Sequence, residues 1–181
     1  MPFSNKSYLV ILFCLASNPV LADYNATVVG VRASSQNLVK LNFKQTLVKA
    51  NCGDPVSQMN LGVCFLTGFN VERNYNTAYY WFNKAASQNF PQALYNMGVL
   101  YYKGYGVPID YKKARYWFTR GAIKGNKESM YYLGIIYGLG KGVAKNQKIA
   151  DYWLDKVIKL GDSRMQKDAL NVKAIVDKTK K

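Results

Sequence analysis

The sequence predicts an all-α chain: an α/α solenoid, a superhelix of three helical hairpins with a capping helix at each end. Three observations carry this. Shifted by 36 residues, the chain overlays itself without gaps: Leu61-Gly62 returns as Met97-Gly98 and Leu133-Gly134, and Tyr80-Trp81 as Tyr116-Trp117 and Tyr152-Trp153. All three tryptophans of the protein therefore share one register. Within a copy, apolar and small residues recur at helical spacing, at Leu94, Met97, Gly98 and Tyr101 and again at Ala114, Trp117, Phe118 and Gly121. One hairpin cannot hide its own apolar faces, so hairpins of equal length stack and cover one another.

Taken in order, residues 1–22 read as an export signal. Lys6 precedes an apolar run from Tyr8 to Ala16, Ser17-Asn18-Pro19 breaks it, and Val20-Leu21-Ala22 gives the small-x-small pattern of a cleavage site. The run is too short to cross a membrane, which takes about 20 apolar residues. Cleavage after Ala22 leaves Asp23–Lys181, 159 residues, one domain's worth of chain. Residues 23–36 show no helical period and are expected as an extended or disordered lead; Asn25-Ala-Thr27 within them matches a glycosylation acceptor, a weak signal when single.

The leading cap is expected over 37–52, because Ala50 lies 36 residues before Ala86 and Pro55 the same distance before Pro91. The three units follow at about 56–91, 92–127 and 128–163, and the trailing cap over 163–178 carries Met165, Ala169, Val172 and Val176 at helical spacing. Both caps have the polar outer face that solenoid ends require. The stretches Gly68-Phe-Asn-Val71, Gly104-Tyr-Gly-Val107 and Gly140-Lys-Gly-Val143 align. Such glycines are also used to cradle phosphate, but that motif needs a strand before it and usually Lys-Ser/Thr after it, and neither is present. Asn70 replaces the second glycine in the first copy, as expected where the backbone needs φ > 0, so these stretches are hinges between helices. Gly98 on one helix, with Ala114 and Gly121 on the other, should let the pair approach closely.

Two cysteines follow the signal, Cys52 and Cys64. A hairpin folded near Asp54 carries Cys64 roughly 12 Å beyond the level of Cys52. A disulfide needs Cα atoms within about 7 Å. Two unbridged thiols are expected, with Cys64 buried.

The stretch Ala93–Gly125, ALYNMGVLYYKGYGVPIDYKKARYWFTRGAIKG, resembles the Sel1-like repeat, a relative of the tetratricopeptide repeat. The resemblance implies a right-handed α-solenoid that holds other proteins together, and exported bacterial members that serve in envelope signalling, host interaction or immunity against rival toxins. Departures are mild: Asn70 for glycine, Asn74 where the second copy has Asp110, and Leu154 where Phe82 and Phe118 stand. The family's cysteine-rich branch bridges positions matching Ala86 with Ala93 and Ala122 with Ser129, and no cysteine stands there.

By position, the tetratricopeptide likeness implies a concave face lined by the first helix of each unit. Its residues would be Met59, Val63 and Leu66, then Tyr95, Val99 and Tyr102, then Tyr131 and Ile135, with Lys103 at the rim. Tyrosine suits such a face, since a rigid aromatic body with a polar tip gives contact area at low entropy cost. The aliphatic positions suit the core of a small solenoid equally well. The carboxylate-clamping mode of tetratricopeptide proteins is unsupported: Asn60 and Asn96 repeat, but Met59 and Tyr95 stand where its lysines would be.

Catalysis is not expected. There is no histidine, the ten acidic residues show no paired spacing, and no Ser-x-x-Lys occurs. No catalytic residue, cofactor or metal site is assigned. The formal charge is +15, concentrated late: residues 103–128 hold seven bases against two acids, and 141–181 eleven against five. This basic half suits an acidic protein, a membrane surface or glycan, and it also suits a merely solvated face. An exported protein seldom meets nucleic acid, so the expected partner is a protein or peptide. The leading expectation is a non-catalytic adaptor in the periplasm or outside the cell; the alternatives are an immunity protein that blocks an exported toxin and a secreted host-interaction factor.

Overall fold

A computed structural model of the protein describes residues 35–178, with side chains from residue 43 onward. The expected signal, 1–22, and residues 23–34 of the expected lead lie outside the described residues. Ser35 and Gln36, assigned to that lead, instead open the first helix. The described residues form eight helices and no strand: α1 (Ser35–Asn51), α2 (Pro55–Thr67), α3 (Tyr75–Ser87), α4 (Pro91–Lys103), α5 (Tyr111–Ile123), α6 (Lys127–Leu139), α7 (Gln147–Leu160) and α8 (Ser163–Lys178). They belong to two compact units that divide between Trp81 and Phe82.

Short polar residues start most of the helices and left-handed residues end most of them, although α7 ends at Gly161 in extended backbone. Asp54, Asn74, Asp110, Asn126, Asn146 and Asp162 each accept a backbone N–H three residues on, the usual N-cap bond. Asn74 and Asn146 thus do the work of Asp110, and α4, which lacks such a cap, begins instead with Pro91. Each first helix exits through Gly68, Gly104 or Gly140, at φ 78°, 75° and 69°. Two residues later Asn70 takes φ 61°, beside 72° at Gly106 and 66° at Gly142, as the asparagine-for-glycine exchange predicts. The loop then returns to its own helix, where the Asn74, Asp110 and Asn146 amides donate to the Phe65, Tyr101 and Tyr137 carbonyls at 2.8–2.9 Å.

In the first unit Ala50, Leu61 and Trp81 form the core, with Phe43, Leu47, Phe65 and Tyr80 packed against it. The Gln58 side-chain amide donates to the Ala50 carbonyl at 2.9 Å and ties α2 to α1. Cys52 and Cys64 are not joined to each other. Cys64 is half-buried rather than buried, because its turn of α2 is only partly covered.

In the second unit Phe118, Leu133, Ile136, Leu154 and Val157 are buried in one core with Ala169. Small residues set its spacing: a Cβ on Gly98 would lie 2.5 Å from the Phe118 ring, and one on Gly134 would lie 2.6 Å from Leu154. Leu154 therefore fills the seat that Phe118 fills one copy earlier. Helix α8 closes the unit by burying Ala169 and Val176, the latter so near Gly138 that a Cβ there would meet it at 2.5 Å. Where Gly62, Gly98 and Gly134 stand in the first helices, α8 carries Leu170, 54% exposed.

The Tyr-Trp pairs are alike in all three copies, edge to face with ring centroids 5.1, 5.2 and 5.0 Å apart. Arg120 and Lys156, themselves in register, lie over the Trp117 and Trp153 rings at 4.9 and 5.3 Å. Trp81 is buried, and Trp117 and Trp153 are half-buried.

Candidate protein-binding site

The residues expected on the binding face fall in both units. In the first, Met59, Val63 and Leu66 share one stripe of α2; Met59 and Leu66 are half-buried and Val63 is 37% exposed. In the second, Tyr95, Val99 and Tyr102 lie along α4 and Tyr131 and Ile135 along α6, all half-buried, with Lys103 exposed at the end of α4. Tyr95, Val99, Tyr102 and Tyr131 pack onto the core that contains Phe118, so they are anchored below and open above.

The side chain that brings them together is Tyr132, which sequence reasoning missed. Its ring stacks on buried Phe118 at 4.8 Å and 15°. Tyr102, Tyr95 and Tyr131 surround it with ring centroids at 5.1, 5.9 and 5.9 Å. The signal was in the register: the position held by Asn60 and Asn96 becomes Tyr132 in the third copy. Tyr111 extends the cluster, its ring 5.3 Å from Tyr102.

Burial holds the Tyr95 phenol far above its ordinary pKa, with further contributions from Tyr132 and the Glu128 carboxylate. Burial likewise raises Tyr131, helped by Asp168 and Tyr132, and raises Tyr132, helped by Tyr102. Tyr95 and Tyr132 hydrogen-bond through their hydroxyls. The face is thus uncharged at its centre across the physiological range.

Charge stands at its two ends. At the start of α6 the Asn126 amide donates to Glu128 at 2.8 Å and to Gln92 at 3.0 Å, which fixes the carboxylate. Beyond the other end of α6, Lys141 lies over the Tyr102 and Tyr111 rings at 5.0 and 5.2 Å. Its ammonium donates to the Tyr102 hydroxyl, and that bond, stronger than its partial desolvation, raises its pKa and keeps it charged. Lys103 lies over the same Tyr102 ring at 5.8 Å. Phenols, an amide and fixed charges on a solvated wall offer recognition.

An all-α repeat with an aromatic face laid across successive first helices is the architecture of a protein-binding scaffold. The Sel1 repeat profile matches residues 55–90, 91–126 and 127–162, well over half of the chain, and the protein belongs to the Sel1 repeat family. These matches begin one residue before the repeat boundaries expected from the sequence. Proteins of this family generally mediate protein–protein interaction and are typically non-catalytic scaffolds. A Sel1 repeat protein from Oxalobacter formigenes is similar at 25% identity and TM-score 0.64, over 76% of this chain and 63% of that one. The protective antigen c5321 of uropathogenic Escherichia coli is 35% identical with TM-score 0.66, over 68% of this chain and 27% of its own. Cysteine-rich protein B of Helicobacter pylori, 22% identical with TM-score 0.58 over 70% and 94% of the two chains, shares the fold. The chain thus spans less than two-thirds of the first two of these structures. Among curated proteins, none matches by sequence.

Proposed function

We propose that the protein is an exported adaptor of the bacterial envelope, acting in the periplasm or outside the cell, which docks a partner protein or peptide on the tyrosine face of α4 and α6. The single observation that carries this is the tyrosine cluster: four neighbouring phenol rings, each half-buried against a packed core, present apolar area that core packing does not consume. The charge pattern Lys6, Tyr8–Ala16 and Val20-Leu21-Ala22 supports export. The likeness to a protective antigen supports a second reading within the same site, a secreted factor that meets host proteins.

A pull-down with Asp23–Lys181, compared with a Tyr95→Ala/Tyr131→Ala variant, tests the docking face. Partners captured by the native chain and lost from the variant are expected. The same partners captured equally by both would place binding elsewhere. If the basic half contributes instead, through an acidic partner, lipid headgroups or glycan, capture is abolished within a few hundred millimolar salt, whereas binding anchored on the tyrosines is weakened and not abolished.

A further inference from the structure

The tyrosine face has polarity. At one end stand Glu128, held by the Asn126 amide at 2.8 Å, and Asp168 near Tyr131. At the other stand Lys103 and Lys141, both against the Tyr102 ring. Among the described residues neither lysine has a carboxylate within ion-pair distance, although Lys113 and Lys173 elsewhere do. Two cations placed by aromatic rings and hydroxyls, and left without an anion, are an incomplete arrangement. So is a carboxylate fixed by an amide and, among the described residues, paired with no cation. Both are positioned before any ligand arrives, which reduces the cost of ordering them on binding.

The spacing sets the ligand's length. Glu128 lies in the first turn of α6 and Lys141 just past its C-terminus, 13 residues on. At 1.5 Å per residue this separates the two charges by roughly 20 Å. An extended chain rises about 3.3 Å per residue, so about six residues bridge the ends. The phenols between them are neutral and offer ring faces and hydroxyls.

We propose, resting on the docking face above, that its occupant is an extended segment of a partner protein about six residues long, with an acidic side chain on Lys103 and Lys141, a basic one at Glu128 and Asp168, and small or apolar residues over the tyrosines. This selects by the sign of charge at each end, because a like charge at either end is repelled.

Fluorescence anisotropy with three labelled, end-blocked octapeptides tests this. They share a Leu-Ser centre and carry Lys at one end and Asp at the other, Lys at both, or Asp at both. The mixed-end peptide is expected to bind the purified protein at least tenfold more tightly than either like-charged one. Lys103→Glu/Lys141→Glu should shift the preference to the Lys-ended peptide. Glu128→Lys/Asp168→Lys should shift it to the Asp-ended peptide. Circular dichroism checks that both variants keep their helices. Equal binding of all three peptides, or no binding of any at about 1 mM, overturns the charge assignment. Charge-indifferent binding that the Tyr95→Ala/Tyr131→Ala variant loses would overturn it while leaving the docking face intact. Partner capture in the pull-down that ignores those tyrosines would remove both.

Discussion

Tyr95 keeps its proton because burial has removed the water that would solvate a phenolate. Its folded pKa lies above the unfolded value, so its contribution to stability is whole below about pH 10 and is lost as pH rises beyond that. Urea midpoints should be level to about pH 9 and fall above pH 10, and Tyr95→Phe should make that fall shallower. A decline unchanged by Tyr95→Phe would show that this phenol does not differ between the folded and unfolded chains. Gly98 makes a second residue-scale prediction. A methyl there meets a Phe118 ring that is buried and stacked on Tyr132, with nowhere to turn. Overpacking of this kind costs about 1–3 kcal/mol. Alanine's better helix propensity offsets up to about 1 kcal/mol. A net loss is expected for Gly98→Ala, read as a lower urea midpoint, together with weaker docking as Tyr132 is displaced. That Gly98 marks a close approach of helices was legible in the sequence; that Phe118 lies opposite it, and Ser129 and Leu94 opposite Gly121, was not, because spacing along one helix does not say which side chain of its neighbour fills the gap. Nor was Tyr132, since one departure from a repeat looks the same whether it fills the core or faces a ligand.

At the scale of the element, caps decide where helices begin. Asn126 accepts the Ser129 amide at 2.7 Å and also anchors Gln92 and Glu128. Loss of an N-cap side chain costs about 1 kcal/mol, and Asn126→Ala should cost at least that in urea unfolding, since its two further hydrogen bonds also go. Asn146→Ala, whose cap bond stands at the exposed start of α7, should cost less. The elements themselves were readable because a 36-residue period places each hinge three times over, so that Asn70 explains itself beside Gly106 and Gly142. The start of α1 was less readable: Ser35 and Gln36 are polar, and polarity alone does not separate a helix's first turn from a lead. The degree of Cys64 burial was also out of reach, because periodicity gives the face of a helix and not how far the neighbouring chain covers it.

For the whole molecule, the fold class followed from the repeat alone, while the tyrosine cluster followed only in outline. Position in the repeat assigned Tyr95, Tyr102 and Tyr131 to the first helices; it did not say which of them touch. Charge composition gave a basic second half, yet the structure places two acidic side chains beside the tyrosines. Such an arrangement depends on which helices are neighbours and cannot be read from sums along the chain. Export is a prediction at this scale: protein recovered from the envelope of an expressing cell should begin at Asp23, read by intact mass, and retention of Met1 would refute it. A further prediction concerns α8. Deleting residues 163–181 removes Ala169 from the core that holds Leu133, Ile136 and Leu154 and leaves Gly138 without Val176. The shortened chain should aggregate or lose several degrees of melting temperature, as loss of an end cap does in stacked repeats.

Leu170 also bears on how such a protein can change its length over evolutionary time. A hairpin closes where a bulky side chain of its second helix nests over a glycine of its first, and on α8 that niche is occupied by the isobutyl group. Tandem duplication of a 36-residue block upstream of Ser163 therefore gives a longer array that still knits, whereas the same block grafted behind α8 meets a doorstop. Growth is open from within and blocked at that helix, until a mutation to glycine restores the niche.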